Sequence, residues 1–335
     1  MTMSFPLLKL PLIPLEVIIE PLDFLDLLQL SMKSTKFKRF LELLKMSVRF
    51  LNVRFIENSY EVSIRRNSTL SYINVCGRVP VDTITEAVKM EGEPVQIWKD
   101  GSNELNVKSD SAKMATLEAI TKHVLSFSKV IKFYATFKSL RTEIRSLFIW
   151  QLTTQLNEFD ILSNHGSHVP ISPEDLTFLL DGISIKCLSL NVSCPGLKYQ
   201  RPIRHPVINI RRSNWIDFDQ LSLGPETVTA NFYEQKVSNA VLNRLMKDWT
   251  EGKNPKLRAV KFEWEEYDRE SLAMAREHET RPPKPVLPNR NIKQLKGLCI
   301  NFSITYRFWS QSVYTAKLSV EKDLGLNGIH LEDQV

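Results

Sequence analysis

From about residue 128 the chain settles into a rhythm that limits what it can fold into. Short β-prone runs, "KVIKFYATF", "EFDILS", "SIKCLSLNV", "HPVINI", "ETVTANF" and "LRAVKFEW", begin roughly every twenty to thirty residues. Between most of them lie helix-like runs, among them "SLRTEIRSLFIWQLTTQL", "SPEDLTFLLDGI" and "VSNAVLNRLMKDWTEG". Strands alternating with helical patterns predict a parallel sheet with crossover connections.

Several strand starts fit the leucine-rich pattern L-x-x-L-x-L: Leu156-Phe159-Ile161, Ile185-Leu188-Leu190 and Leu257-Val260-Phe262. The expected fold class is therefore α/β, with an irregular leucine-rich-repeat-like α/β solenoid over 128–266. The competing reading is an ordinary open α/β sheet of similar period. The asparagine of strict leucine-rich repeats occurs once, at Asn191. Upstream, "VRFLNVRFI", "YEVSIR", "LSYINV", "PVQIWKD" and "ELNVKSD" alternate apolar and polar residues and predict a small antiparallel β meander. "KDGSN" (Lys99 to Asn103) reads as a hairpin turn between two of these strands. A helix follows over Ala115 to Phe127, with Leu117, Ile120, Val124 and Phe127 on one side; meander and helix fill 47–127. A charged and then Pro-rich linker (267–296) precedes a terminal β hairpin (297–325), expected to cover the end of the sheet.

The first residues, "FPLLKLPLIPLEVIIEPLDFLDLLQLS", are densely apolar but neither a secretion signal nor a membrane span. No cationic segment precedes them, and Lys9 interrupts the run. Prolines at 6, 11, 14 and 21 and acids at 16, 20, 23 and 26 leave nothing near the roughly 20 apolar residues a span requires. The same residues read as punctuation. Pro14 suits a first helical turn and Pro21 ends it, with Leu15, Ile18, Ile19 and Leu22 on one face. Asp23 is a candidate cap for a second helix, and Ser34 for a third carrying Phe37, Leu41 and Leu44. A unit of about forty residues buries too little surface to stand alone, so its apolar residues dock either on the rest of the chain or on a partner.

The ordered set Pro6-Leu7, Leu10-Pro11, Val17, Ile18, Leu22-Asp23, Leu27, Leu30-Ser31 and Ser34, followed by a basic stretch, resembles an F-box of the kind found in the large nematode F-box families. Pro21 departs from that pattern. The resemblance implies a three-helix F-box over 1–46 that docks on a Skp-type adaptor and, through it, a cullin scaffold. Leu7, Leu10, Pro11, Val17, Ile18, Leu22, Leu27 and Leu30 would form the docking surface. Downstream, Asn214-Trp215-Ile216, Leu221, Leu242-Asn243, Leu245, Trp249, Gly252, Asn254-Pro255 and Leu257 resemble a type 2 F-box-associated domain over about 180–265. The function these resemblances imply is that of a substrate-receptor subunit of an SCF-type ubiquitin ligase. The alternative is an interaction scaffold that works outside ubiquitination. Read from the residues themselves, Trp215 and Trp249 pack helix to sheet, and Gly252 suits a helix C-terminus with Pro255 just beyond.

Chemistry-bearing motifs are sparse. The 11 glycines form no phosphate-cradling loop, and there is no G-x-S-x-G. His165 and His168 lack a third ligand at metal spacing, and Cys187, Cys194 and His205 match no standard zinc pattern. The expectation is a chain that is not an enzyme and needs no cofactor or metal. The four cysteines are far apart and read as reduced thiols of a cytoplasmic or nuclear protein, in which the sequons at Asn67, Asn191 and Asn301 carry no glycan. The net charge of +6 is mild and spread out. The basic stretches at Lys33 to Arg66 and "KYQRPIRHPVINIRRSNW" belong to no nucleic-acid module and read as a solvated face or a patch for an acidic protein partner; nucleic acid is not expected, and the target protein is a partner that the resemblance implies.

Overall fold

The computed structural model describes residues 17–56, 59–81, 83–90, 93–109, 113–138, 143–153, 156–163, 168–211, 213–233, 239–266, 298–309 and 311–322. The chain divides into two compact units, Met1–Ser189 and Leu190–Val335, with the boundary inside one strand.

The described part of unit 1 begins with helical residues 17–19, followed by α1 (Phe24–Lys33) and α2 (Thr35–Leu44). Pro21 ends the first turn, as its missing N–H and ring require. Ser34 caps α2, its hydroxyl accepting from the Phe37 N–H at 3.2 Å. Asp23 precedes α1 in an extended conformation, but its side chain makes no capping bond. Six strands follow: β1 (Met46–Ile56), β2 (Ser59–Arg66), β3 (Thr69–Cys76), β4 (Glu86–Met90), β5 (Glu93–Lys99) and β6 (Glu104–Lys108). Then come α3 (Lys113–Phe127), β7 (Ser128–Phe137), the short α4 (Ile149–Leu152), β8 (Leu156–Ile161), β9 (Val169–Pro170), α5 (Pro173–Thr177) and β10 (Ile185–Ser193).

Within unit 1 the strand order β4-β5-β6-β3-β2-β1-β7-β8 runs across one mixed sheet. β1 pairs antiparallel with β2 but parallel with β7, and β3 pairs antiparallel with β2 but parallel with β6. The strands expected to form a separate meander and those expected to begin a solenoid are thus neighbours in a single sheet. One face of this sheet is dry. Leu51, Val53, Phe55, Val62, Ile64, Ile73, Val75, Leu105, Val107, Ala135 and Phe137 are at most 2% exposed. α3 covers β2, β3 and β7 on that face, burying Leu117, Ile120, Val124 and Phe127 as their spacing predicts. α1 and α2 extend the same core. Phe24 stacks on Phe127 at 5.8 Å, and Leu25, Leu27, Leu28 and Leu41 are fully buried.

Unit 2 continues with β11 (Val207–Arg211), β12 (Thr229–Tyr233), α6 (Asn239–Thr250), β13 (Ala259–Glu266), β14 (Leu298–Trp309) and β15 (Gln311–Lys322). β11, β12 and β13 pair in parallel. The hairpin β14–β15 joins through β15, antiparallel to β13, which covers that strand's edge. Trp215 is fully buried and Leu221, Leu245 and Leu257 nearly so. α6 ends at Gly252, whose φ of +76° lets the Lys253 N–H reach back to the Asp248 carbonyl at 3.0 Å. The linker (267–296) and the side chain of Trp249 lie outside what the structure describes.

These features correct the expected fold class. The N-terminal helices are not a free-standing three-helix F-box, because their apolar residues complete the core of a mixed sheet. The physical reason is the one their composition raised: a segment so short can bury its leucines only against something else. The solenoid also fails, because a helix does not recur with each strand. The described parts of the 194–206 and 213–228 connections carry turns and isolated bridges, Tyr199↔Ile216 and Ile203↔Leu223, with no helix. Between β7 and β8 the described helical pieces are only a turn at Ile144–Ser146 and α4.

Candidate partner-binding surfaces

The docking residues expected at the N-terminus divide sharply. Leu7, Leu10 and Pro11 lie outside the described residues. Leu27 is 0% exposed, inside the core beneath α1, and Leu22 is half-buried. Val17, Ile18 and Leu30 remain 65%, 40% and 39% exposed. α1 is tied to the sheet by ion pairs, Lys33 to Glu86 at 2.7 Å and Asp26 to Lys99. Arg66, at the end of β2, donates to the Leu22 carbonyl at 2.9 Å and the Glu20 carbonyl at 3.1 Å. Those acceptors lie where the first helical turn has run out of intrahelical partners, so β2 fixes the turn that presents Val17 and Ile18. Burial lowers the Arg66 pKa, with Glu20 and Asp23 opposing it.

A second surface has no local signature in the sequence. Side chains alternate across a strand, so the residues between the buried positions of unit 1 point to the other face of the sheet. Register pairs align them in rows. One row runs Trp98, Asn106, Asn74, Glu61, Arg54, Thr136, Asp160, and the next Glu104, Tyr72, Ser63, Asn52, Tyr134, Glu158. Nearly every one is polar or amphipathic, and most are half-buried. Neighbours bond along the rows. Asn74 donates to Asn106 Oδ1 at 3.2 Å, Thr136 donates to Asn52 Oδ1 at 3.3 Å, and Arg54 pairs with Glu61 at 2.7 Å. Beside them Arg65 lies over the Phe50 ring at 5.1 Å, and Phe50 meets Tyr134 edge-on at 5.7 Å.

At one end of the rows, Glu158 and Asp160 sit two apart on β8 and so on the same side. Burial raises both pKa values. Glu158 is raised further by the neighbouring carboxylate of Asp160 and a hydrogen bond to it, with Lys132 opposing. For Asp160, hydrogen bonds with Ser189 and Glu158 pull the other way. Glu158 therefore holds a proton toward Asp160 at pH values where an ordinary carboxylate has lost it. The sequence signal for this pair was only the "E-F-D" alternation within a predicted strand.

The candidate metal ligands assemble no site among the described residues. No group of three or more His, Cys, Asp or Glu side chains gathers there as metal ligands do. Cys187 is half-buried in β10, Cys194 and His205 are buried, and His165 lies outside the described residues. Cys76, Cys187 and Cys194 take part in no disulfide. Among the described residues no helix is long and apolar enough to cross a membrane. No family model, no curated protein and no solved structure matches this chain.

Proposed function

We propose that the chain is a protein-interaction subunit, the substrate receptor of an SCF-type ubiquitin ligase, acting in the cytoplasm or nucleus. Its N-terminal segment docks on a Skp-type adaptor, and through it on a cullin scaffold, while a separate surface holds a target protein. The chain does no bond chemistry and uses no cofactor. It acts by raising the effective concentration of the target near a ubiquitin-charged partner. Docking of this kind needs no free-standing N-terminal module; it needs apolar side chains held outward on a segment fixed to the rest of the chain. The observation that carries the reading is the exposure of Val17, Ile18 and Leu30, on a segment whose neighbouring leucines are fully buried.

The test is co-purification of a Skp-type adaptor with the full-length chain. The adaptor is expected to co-purify with the wild type, and Val17→Asp with Leu30→Asp, or Leu10→Ala with Pro11→Ala, is expected to abolish capture. Failure of the wild type to capture any such adaptor overturns the reading. Adaptor capture with no cullin recruited, and no target accumulating on depletion, would leave a scaffold outside ubiquitination.

A further inference from the structure

The charge on the two-row face of unit 1 runs against the charge of the chain. The chain carries a net +6. Across the two rows, four carboxyl groups (Glu61, Glu104, Glu158 and Asp160) face one guanidinium, Arg54. Arg54 is already committed to Glu61 at 2.7 Å, which leaves the rest of the face acid-weighted. The nearest cations flank the two rows: Lys132 and Arg65 stand one row further along on one side, Arg65 engaged over the Phe50 ring, and Lys108 stands one row further along on the other. Between the acids the rows offer amide and phenol groups that accept and donate hydrogen bonds, such as Asn52 and Tyr134, with the ring edges that suit the stem of an Arg or Lys side chain.

We propose that this face docks a basic, Arg- or Lys-rich segment of a partner protein, with the paired carboxyls of Glu158 and Asp160 as its principal acceptor site. Complementarity is what selects the occupant. A cationic segment meets net repulsion from the chain as a whole, so it can settle only where acids outnumber bases locally. The same acid excess disfavours nucleic acid and acidic peptides. The proposal rests on the receptor reading above only for the fate of the bound partner; docking itself does not require the adaptor.

The experiment uses the full chain and a short fluorescent peptide of alternating Arg and Ser, followed by anisotropy at low and near-physiological ionic strength. The double variant Glu158→Gln, Asp160→Asn is the main comparison. Both acids sit where burial disfavours charge, so these neutral replacements keep the fold, which circular dichroism and thermal melting verify. Glu226→Gln, on a surface ion pair with Lys256 in unit 2, is the control. The Arg/Ser peptide is expected to bind the wild type and the control alike and the double variant about tenfold more weakly, with affinity falling as salt rises. Equal binding to the double variant, equal loss in the control, or no binding to the wild type overturns the proposal. So does tighter binding of a Glu/Ser peptide or a labelled oligonucleotide at this face. Adaptor capture is scored on the same proteins. Capture without peptide binding sinks this inference alone, and peptide binding without capture sinks the ligase reading alone.

Discussion

The imidazole of His123 donates from Nε2 to the hydroxyl of Ser31, 2.8 Å away and 92 residues distant in the chain. The direction follows from the other bond that Ser31 makes. Its single hydroxyl proton goes to the Leu28 carbonyl at 2.6 Å, so toward His123 it can only accept. The bond therefore fixes the tautomer of a buried, neutral histidine and pins α1 against α3. Burial, with the nearby charge of Lys38, lowers the His123 pKa from 6.5 to about 4.

That depression makes the docking of α1 pH-dependent, with a definite sign. Above the unfolded value of about 6.5 both states are neutral and the full stability is present. As pH falls toward the folded value of about 4, the unfolded chain takes up a proton that the folded chain refuses, and stability is lost. The whole interval corresponds to about 3 kcal/mol. Glu158 and Asp160, with raised folded pKa values, contribute in the opposite sense at acid pH. The measurement is therefore a difference: urea unfolding of the wild type and of His123→Phe between pH 7 and pH 4. The wild type is expected to lose more stability than the variant. Parallel curves would show that the imidazole does not titrate as its burial requires.

Leu27 and Leu30 separate stability from docking. They lie three apart on α1, but Leu27 is 0% exposed and Leu30 is 39% exposed. Leu27→Ala opens a cavity in a packed core and is expected to cost about 2–5 kcal/mol. Leu30→Ala is expected to shift the unfolding midpoint little and to weaken adaptor capture. The pair is read by chemical denaturation and by co-purification in parallel. A Leu30→Ala variant as unstable as Leu27→Ala would place Leu30 in the core and remove it from the docking surface.

Gly252 isolates a purely conformational effect. Its φ is +76°, and a Cβ there would meet nothing within 4 Å. Gly252→Ala is thus free of steric clash and carries only the cost of the left-handed backbone, about 1 kcal/mol. Gly252→Asn is expected to cost less, since asparagine tolerates that conformation. Thermal melting of the three proteins checks the order; an alanine variant as stable as the wild type would mean that α6 ends elsewhere.

The elements legible in the sequence were those fixed by local pattern. Gly252 at the end of α6, Ser34 capping α2 and the four-residue apolar stripe of α3 each depend on a few neighbouring residues, and each lies where expected. β4 carries little local signal, because "EAVKM" is short and two of its five residues are charged. Asp23 occupies the predicted position without making its bond, because cap geometry depends on the preceding turn as well as on residue type. What could not be read was pairing. That β3 runs parallel to β6, or that Asp160 shares a row with Asn74, depends on contacts many residues apart, and local periodicity is silent about them. The fold class failed at this point, since strands belonging to two expected modules proved to be neighbours. The acid-weighted face went unseen for the same reason, because it exists only once register has assembled it. The burial of Leu27 shows the limit at single residues: spacing gave the helix, but whether a given leucine meets the sheet or a partner is decided by the sheet.

Arg66 links the sheet to the docking segment and gives the last test. Its guanidinium holds the Leu22 and Glu20 carbonyls at 2.9 and 3.1 Å, just past the turn that carries Val17 and Ile18. Arg66→Ala frees two acceptors that water can satisfy, so the global cost is small, on the order of 1 kcal/mol. The local effect is larger, because the 17–22 turn loses its attachment to β2 and must be ordered anew when a partner binds. Adaptor affinity is expected to fall several-fold while the unfolding midpoint moves little. Arg66→Lys should recover only part of the loss, since an ammonium lacks the planar fork that serves two carbonyls together. Limited proteolysis supplies an independent readout, with cleavage near residues 17–22 faster in Arg66→Ala than in the wild type. If affinity and cleavage are both unchanged, the turn is held by its own packing and Arg66 does not position the docking residues.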